Sequence, residues 1–296
     1  MQNRRLNLGI LGYPLFHSLS PRLYQTAMET LGMEGEYHLF PIPPVPEGAE
    51  QIQSLLQRVC SGELQGLNVT IPHKQAVIPW LDKLTPTASA IGAVNVLFLN
   101  GDRLTGDNTD APGFSADLRR YIDRPAGSAL VLGAGGAARA VVFALAQSGW
   151  RVRVCARRAA QAAGLARDLQ HAGLHPISAA PLTADVLQEF GDCRLIVNAT
   201  PVGMTPQIDA SPWLEGLPFP AGALVYDLIY KPPETKLMLQ ARAAGLQAVS
   251  GLGMLVEQAV LAFERWTGIR PEGSSMTEGR GSETSSAVFS ETITNY

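Results

Sequence analysis

The stretch that most constrains this chain is Leu130-Val-Leu-Gly-Ala-Gly-Gly-Ala-Ala-Arg139, near its middle. The apolar run Ala129–Leu132 reads as a buried strand, Gly133–Gly136 as a tight turn, and Ala137–Gln147 as an alanine-rich helix. Strand, glycine turn and helix in that order suit a dinucleotide pyrophosphate. Gly133 makes the turn, Gly135 lets the backbone approach phosphate, and Ala138 in the third position lets helix and strand pack closely. The helix start offers free N–H groups and the positive end of the helix dipole. An ordinary strand–helix turn can carry the same residues, so the next strand matters.

That strand is Trp150–Cys155, followed by Ala156, Arg157 and Arg158. A site for NAD usually has a carboxylate here to accept from the adenosine ribose. No acidic residue stands between Leu130 and Arg167. The guanidinium forks of Arg157 and Arg158 suit a phosphate, which favours NADP over NAD. The competing reading is a solvated basic turn.

A chain of 296 residues can hold two domains. Its net charge of −3 gives no reason to expect nucleic acid or an anionic membrane as partner. Cys60, Cys155 and Cys193 are odd in number and far apart, so neither a disulfide framework nor a metal site is suggested. A reducing, cytoplasmic setting is expected. Arg4-Arg5 before Leu6–Leu11 faintly resembles a signal peptide, but Asn7 and Pro14 break the run, and a first buried strand fits better. No stretch is long enough to span a membrane.

The first third alternates strand and helix, which predicts an α/β fold with a mostly parallel sheet. Strands are expected at Asn7–Leu11, Glu36–Phe40 and Gly66–Thr70, and a hairpin at Asn100-Gly101. Ser20 before Pro21 reads as a helix N-cap. Ile52, Leu55, Leu56 and Val59 make one helical face. A helix after Asp110 is expected to lead out of the first domain, with Arg124–Ser128 as linker. Strands at Leu195–Val197 and Ala223–Leu228 and a helix at Met254–Trp266 follow. After Pro271, Ser, Thr, Gly and Glu dominate without period, and residues 272–296 are expected to form a disordered tail.

Asn68-Val-Thr70-Ile-Pro72-His73-Lys74 gathers polar groups at a strand's C-terminal end, where α/β folds place their sites. Gly106–Asp110 is a second polar loop carrying an acid. A lysine paired with an aspartate can pass a proton to or from a carbinol oxygen while a nicotinamide moves hydride, so Lys74 and Asp110 are the candidate acid/base pair. Nothing in the spacing shows that they meet. His17 and His73 are the rivals and are read as structural. Side chains alternate along extended chain, so His73 is expected to point away from Lys74. Ser18 and Ser20 are placed either to hold a carboxylate or to cap a helix. Asn95 is a turn residue or a ligand for a hydroxyl, and Gln258 is such a ligand or a solvent-facing amide.

From about Asn7 to Arg270 the chain closely resembles the shikimate dehydrogenase family. The resemblance rests on an ordered series: His17-Ser-Leu-Ser-Pro21, Asn68 to Lys74, Gly92-Ala-Val-Asn95, Asn108-Thr-Asp110, Gly133 to Ala137, Asn198-Ala-Thr-Pro-Val-Gly-Met204, Asp227-Leu-Ile-Tyr230 with Pro232 and Thr235, and Gly253-Met-Leu255 with Gln258. It implies two α/β domains separated by a cleft. Residues 1–112, completed by helices at about 251–270, would bind substrate, and 113–250 would form a Rossmann-type NADP domain.

The resemblance further implies reversible, NADPH-dependent reduction of 3-dehydroshikimate to shikimate in aromatic amino acid biosynthesis. Lys74 would be the general acid/base, assisted by Asp110. Ser18 and Ser20 would hold the carboxylate. Thr70, Asn95, Asp110 and Gln258 would hold ring hydroxyls, with Asn68 and Tyr230 nearby. Gly133, Ala134, Gly135, Gly136 and Ala137 would take the pyrophosphate, and Arg157 and Arg158 the 2′-phosphate. Thr200, Leu228 and Gly251 would face the nicotinamide end. The protein would act as a monomer or homodimer on small molecules.

Three positions depart from the family's pattern: Ala156-Arg157-Arg158 replaces Asn-Arg-Thr, Tyr24-Gln25 replaces His-Asn, and Pro86 stands where an acid is common. The alternatives are a quinate/shikimate enzyme with broader substrate or cofactor use and a non-catalytic NADP-binding paralogue. The second would be expected to have lost Lys74 or Asp110.

Overall fold

The computed structural model describes residues 5–16, 18–123, 125–170, 174 and 176–277. His17 and Arg124 lie outside the described residues, as do 278–296 of the expected tail. The chain divides into two compact units. One takes in residues up to Gly113 and resumes at Val256, and the other is Phe114–Leu255.

The first unit runs β1 (Leu6–Gly12), α1 (Ser20–Leu31), β2 (Gly35–Pro41), α2 (Ala49–Cys60), β3 (Gly66–Val69), α3 (His73–Ala76), β4 (Lys83–Leu84), α4 (Pro86–Ile91), β5 (Val96–Asn100), β6 (Arg103–Asp107) and the start of α5 (Asp110–Leu118). Its sheet has the order β2-β1-β3-β5-β6-β4. β1 pairs parallel with both β2 and β3, but β5 runs antiparallel to β3 and to β6. β4 pairs parallel with β6, so the sheet is mostly parallel as expected, and β5 alone runs against its neighbours. The tight turn after Asn100 is too short for a crossover, so β5 and β6 can only be antiparallel.

The expected helical face Ile52, Leu55, Leu56 and Val59 is buried, in one cluster with Leu11, Leu67, Val69 and Leu97 of the sheet. Burial at about 2 kcal/mol per side chain fixes α2 on that face.

The second unit continues through β7 (Ser128–Leu132), α6 (Gly136–Gln147), β8 (Arg151–Ala156), α7 (Ala159–Gln170), β9 (Ile177–Pro181), α8 (Ala184–Gln188), β10 (Leu195–Asn198), β11 (Leu224–Asp227), α9 (Lys236–Ala243) and β12 (Gln247–Ser250). Its sheet, β12-β11-β10-β7-β8-β9, is parallel throughout. The chain winds outward from β7 in one direction and from β10 in the other. That reversal places a topological switch point between these two strands, where α/β sheets receive ligands.

α10 (Leu252–Thr267) returns the chain to the first unit, and α11 (Ser274–Thr277) packs on α1. The expectation of disorder from residue 272 is thus corrected for 274–277, where the fully buried Met276 anchors a helical turn. Among the described residues no helix is long and apolar enough to cross a membrane.

Candidate active site

The mixed sheet of the first unit explains how distant residues come together. β1 and β3 end at one edge. β5 begins at that edge and β6 ends there, because the hairpin reverses direction. Three backbone bonds record the arrangement: Thr70 N to Leu11 O at 2.8 Å, Val69 N to Asn95 O at 2.8 Å, and Asn95 N to Asp107 O at 3.0 Å. The Ser18–Ser20 loop follows β1, Thr70 and Lys74 follow β3, Asn95 precedes β5, and Asp110 follows β6.

At this edge Lys74 Nζ donates to Asp110 Oδ2 at 2.6 Å. Both side chains are nearly buried, 12% and 6% exposed, so little water competes for the pair. Asn95 is the hub beside it. Its Nδ2 lies 2.9 Å from Thr109 Oγ1, 3.0 Å from Asp110 Oδ1 and 3.3 Å from Gln258 Oε1, while its Oδ1 accepts from Thr109 N at 2.7 Å. Gln258 is therefore a buried partner of Asn95 and not a solvent-facing amide.

Asn68 sits behind this group. Its Nδ2 donates to the Asn95 carbonyl at 3.2 Å, and its Oδ1 accepts from Tyr37 O–H at 2.7 Å. Tyr37 and Thr109 are the members that sequence reasoning missed. Tyr37 lies on β2 outside every motif, whereas Thr109 stands inside the Asn108–Asp110 run.

Two local expectations are corrected. Ser20 is the first residue of α1 and not its cap; instead Ser18 Oγ accepts from Ser20 N at 3.3 Å. Proline at the second position already starts this helix without a side-chain cap. His73 and Lys74 lie in the helical turn α3, not in extended chain. His73 still faces inward, fully buried, with Nε2 2.8 Å from Ile42 O.

In the second unit, the glycine loop lies at the switch point. Gly133 has φ +112°, and a Cβ there would stand 2.8 Å from Ala199 O, so a side chain is excluded both by conformation and by the neighbouring loop. At Gly135 a Cβ would meet nothing within 4 Å. That open space lies at the N-terminus of α6, where backbone N–H groups favour an anion. Ala134, Gly136 and Ala137 are half-buried beside it, and Arg157 and Arg158 are exposed after β8. This surface fits a dinucleotide carrying a phosphate on its adenosine ribose.

Thr200 is fixed on the neighbouring loop, with N and Oγ1 at 3.0 and 2.7 Å from Asn198 Oδ1. Leu228 and Tyr230 follow β11 and are half-buried. Gly251, buried after β12, packs so closely that a Cβ would stand 2.2 Å from Leu228 O. Asp227 between these loops is fully buried, and burial pushes its carboxyl up to about 6 against the opposing effect of its Thr235, Ile229 and Asn198 donors.

A family model for the shikimate dehydrogenase substrate binding domain matches residues 10–97, and one for the shikimate 5′-dehydrogenase C-terminal domain matches residues 251–278. A shikimate dehydrogenase (NADP(+)) of Symbiobacterium thermophilum is 41% identical over 268 residues, covering 89% of each chain. The chain belongs to the shikimate dehydrogenase family. Among solved members, the shikimate 5-dehydrogenase of Thermus thermophilus, in complex with NADP(H) and shikimate, is 40% identical over 92% of this chain and 97% of its own, with a TM-score of 0.80. The same fold is found in the quinate dehydrogenase of Corynebacterium glutamicum in complex with NAD, 29% identical over 92% and 97% of the two chains, TM-score 0.83.

Proposed function

We propose that this shikimate dehydrogenase family member reduces 3-dehydroshikimate to shikimate reversibly with NADPH. The observation that carries the reading is the buried 2.6 Å contact between Lys74 Nζ and Asp110 Oδ2, at the polar edge of the first sheet. A bound NADPH supplies the hydride that adds to the carbonyl carbon. As the carbonyl π bond opens, the Lys74 ammonium donates a proton to the oxygen, and in the reverse direction the Lys74 amine takes it back. Asp110 holds Lys74 in place and accepts from a ring hydroxyl.

In this reading Ser18 and Ser20 hold the substrate carboxylate. Thr70, Asn95, Asp110 and Gln258 hold its hydroxyls, with Asn68 and Tyr230 adjacent. Gly133 to Ala137 bind the pyrophosphate, Arg157 and Arg158 bind the 2′-phosphate, and Thr200, Leu228 and Gly251 border the nicotinamide. Residues 1–112 with about 251–270 then form the substrate domain and 113–250 the cofactor domain. The enzyme works as a monomer or homodimer in a reducing, cytoplasmic setting, in keeping with the buried free thiols of Cys155 and Cys193.

The deciding experiment follows NADP⁺ reduction with shikimate and with quinate, repeats both with NAD⁺, and includes Lys74→Ala. Turnover of shikimate with NADP⁺, reduced about 10²- to 10⁴-fold in the variant while NADP⁺ binding persists, is expected. Preference for quinate or NAD⁺ would overturn the substrate or cofactor assignment. Absence of turnover on both substrates would overturn the activity.

A further inference from the structure

The second unit contains a carboxylate that the proposed chemistry does not use. Asp227 ends β11 and is fully buried, yet its bonds come from neutral donors. Asn198 Nδ2 and Ile229 N donate to Oδ1 at 2.9 and 3.0 Å, and Thr235 Oγ1 donates to Oδ2 at 2.6 Å. A carboxylate buried without a cation is costly, so its retention calls for a reason.

The donors supply one. Asn198 opens the loop that carries Thr200, and its own Oδ1 holds Thr200 at both N and Oγ1. Ile229 lies between Leu228 and Tyr230. Thr235 caps α9, accepting from Met238 N at 3.3 Å. Three segments at the C-terminal edge of the sheet are thus tied to one side chain. An amide would not reproduce these bonds: its N–H group would face Thr235 Oγ1 where an acceptor stands now, so the Thr235 O–H would lose its acceptor and the contact would reverse direction.

We infer that Asp227 is a positioning residue, whose two acceptor oxygens fix the Thr200 loop and the Leu228–Tyr230 segment where the nicotinamide half of the cofactor is held. The inference rests on the cofactor assignment proposed above. It separates the two halves of the cofactor: the 2′-phosphate half depends on Arg157, Arg158 and the glycine loop, which Asp227 does not touch.

The test compares wild type, Asp227→Asn and Thr235→Val in three measurements: the dissociation constant of 2′,5′-ADP, that of NADP⁺, and kcat with shikimate. Unchanged 2′,5′-ADP binding, with NADP⁺ affinity and kcat each falling about ten- to a hundred-fold, is expected. Thr235→Val loses one donor of three and shows a smaller loss of the same pattern, which decides the matter if the Asn variant does not fold. Wild-type values in both variants, or equal loss of 2′,5′-ADP and NADP⁺ binding, would overturn the inference. A wild type that binds NADP⁺ but does not turn over shikimate would count against the proposed activity alone, because the two binding measurements still decide the role of Asp227.

Discussion

Gly113 of α5 lies so close to α10 that a methyl group on it would stand 2.8 Å from the backbone nitrogen of Gln258 and 3.0 Å from its Cα. Backbone cannot yield as a flexible side chain can. Gly113→Ala is therefore expected to push Gln258 away from Asn95, with an overpacking cost of about 1–3 kcal/mol. Activity with shikimate should fall about ten- to a hundred-fold. Steady-state kinetics and a melting curve check this. Unchanged kcat/KM would mean that Gln258 takes no part in binding.

Tyr37 sets the polarity of Asn68. The Asn95 carbonyl can only accept, so Asn68 Nδ2 must face it; Oδ1 then faces Tyr37, whose O–H must donate. Tyr37→Phe leaves a buried oxygen with one donor fewer, at a stability cost of about 1–3 kcal/mol. The KM for shikimate should rise more than kcat falls, because the reacting pair Lys74 and Asp110 is untouched. A fall in kcat alone would contradict this.

Arg157 and Arg158 are exposed, so their removal should leave the melting temperature unchanged. In the double variant Arg157→Ala/Arg158→Ala the preference for NADP⁺ over NAD⁺ should drop by about tenfold or more, through weaker NADP⁺ binding. Calorimetric titration with both cofactors tests it. Equal weakening of both would place the arginines elsewhere than at the 2′-phosphate.

Asp227 predicts an unusual dependence of stability on pH. Its carboxyl is raised from 3.8 to about 6 by burial, whereas in the unfolded chain it ionises near the lower value. Between these values the folded state holds the extra proton, so this group favours folding at acid pH. Its contribution is lost as pH rises toward about 6 and is flat above, for a total of up to about 3 kcal/mol. Melting temperatures of wild type minus Asp227→Asn should therefore fall from about pH 4 to about 6.5 and then level. A difference that rises with pH would show that the hydrogen-bond donors outweigh burial.

The glycine loop between β7 and α6 is legible in the sequence because all the needed information is local: an apolar run, a turn and a helix within Ala129–Gln147; β9 (Ile177–Pro181), short and only partly apolar, carries no such signal. The contact between Lys74 and Asp110 is not legible either. It depends on β5 being antiparallel to β3, which periodicity does not encode and at which only the hairpin at Asn100-Gly101 hints. His73 faces inward for a reason other than the expected one, since a helical turn and not strand alternation separates it from Lys74. Tyr37 leaves no signal, because a tyrosine on a half-buried strand looks the same whether or not its hydroxyl is used. Asp227 is visible as a motif member, but its role depends on burial and on donors from three segments.

The hairpin that mixes the first sheet has one more consequence. Both of its outer ends, at Asn95 and Asp107, are pinned at the working edge, while its tip points the other way. At the tip, Gly101 has a positive φ and empty space around its α-carbon. Chain length at that point is thus uncoupled from the geometry of the polar cluster. A tag, a dye-bearing cysteine or new chain termini could be placed between Asn100 and Arg103, giving an attachment point that leaves the reacting residues where they are.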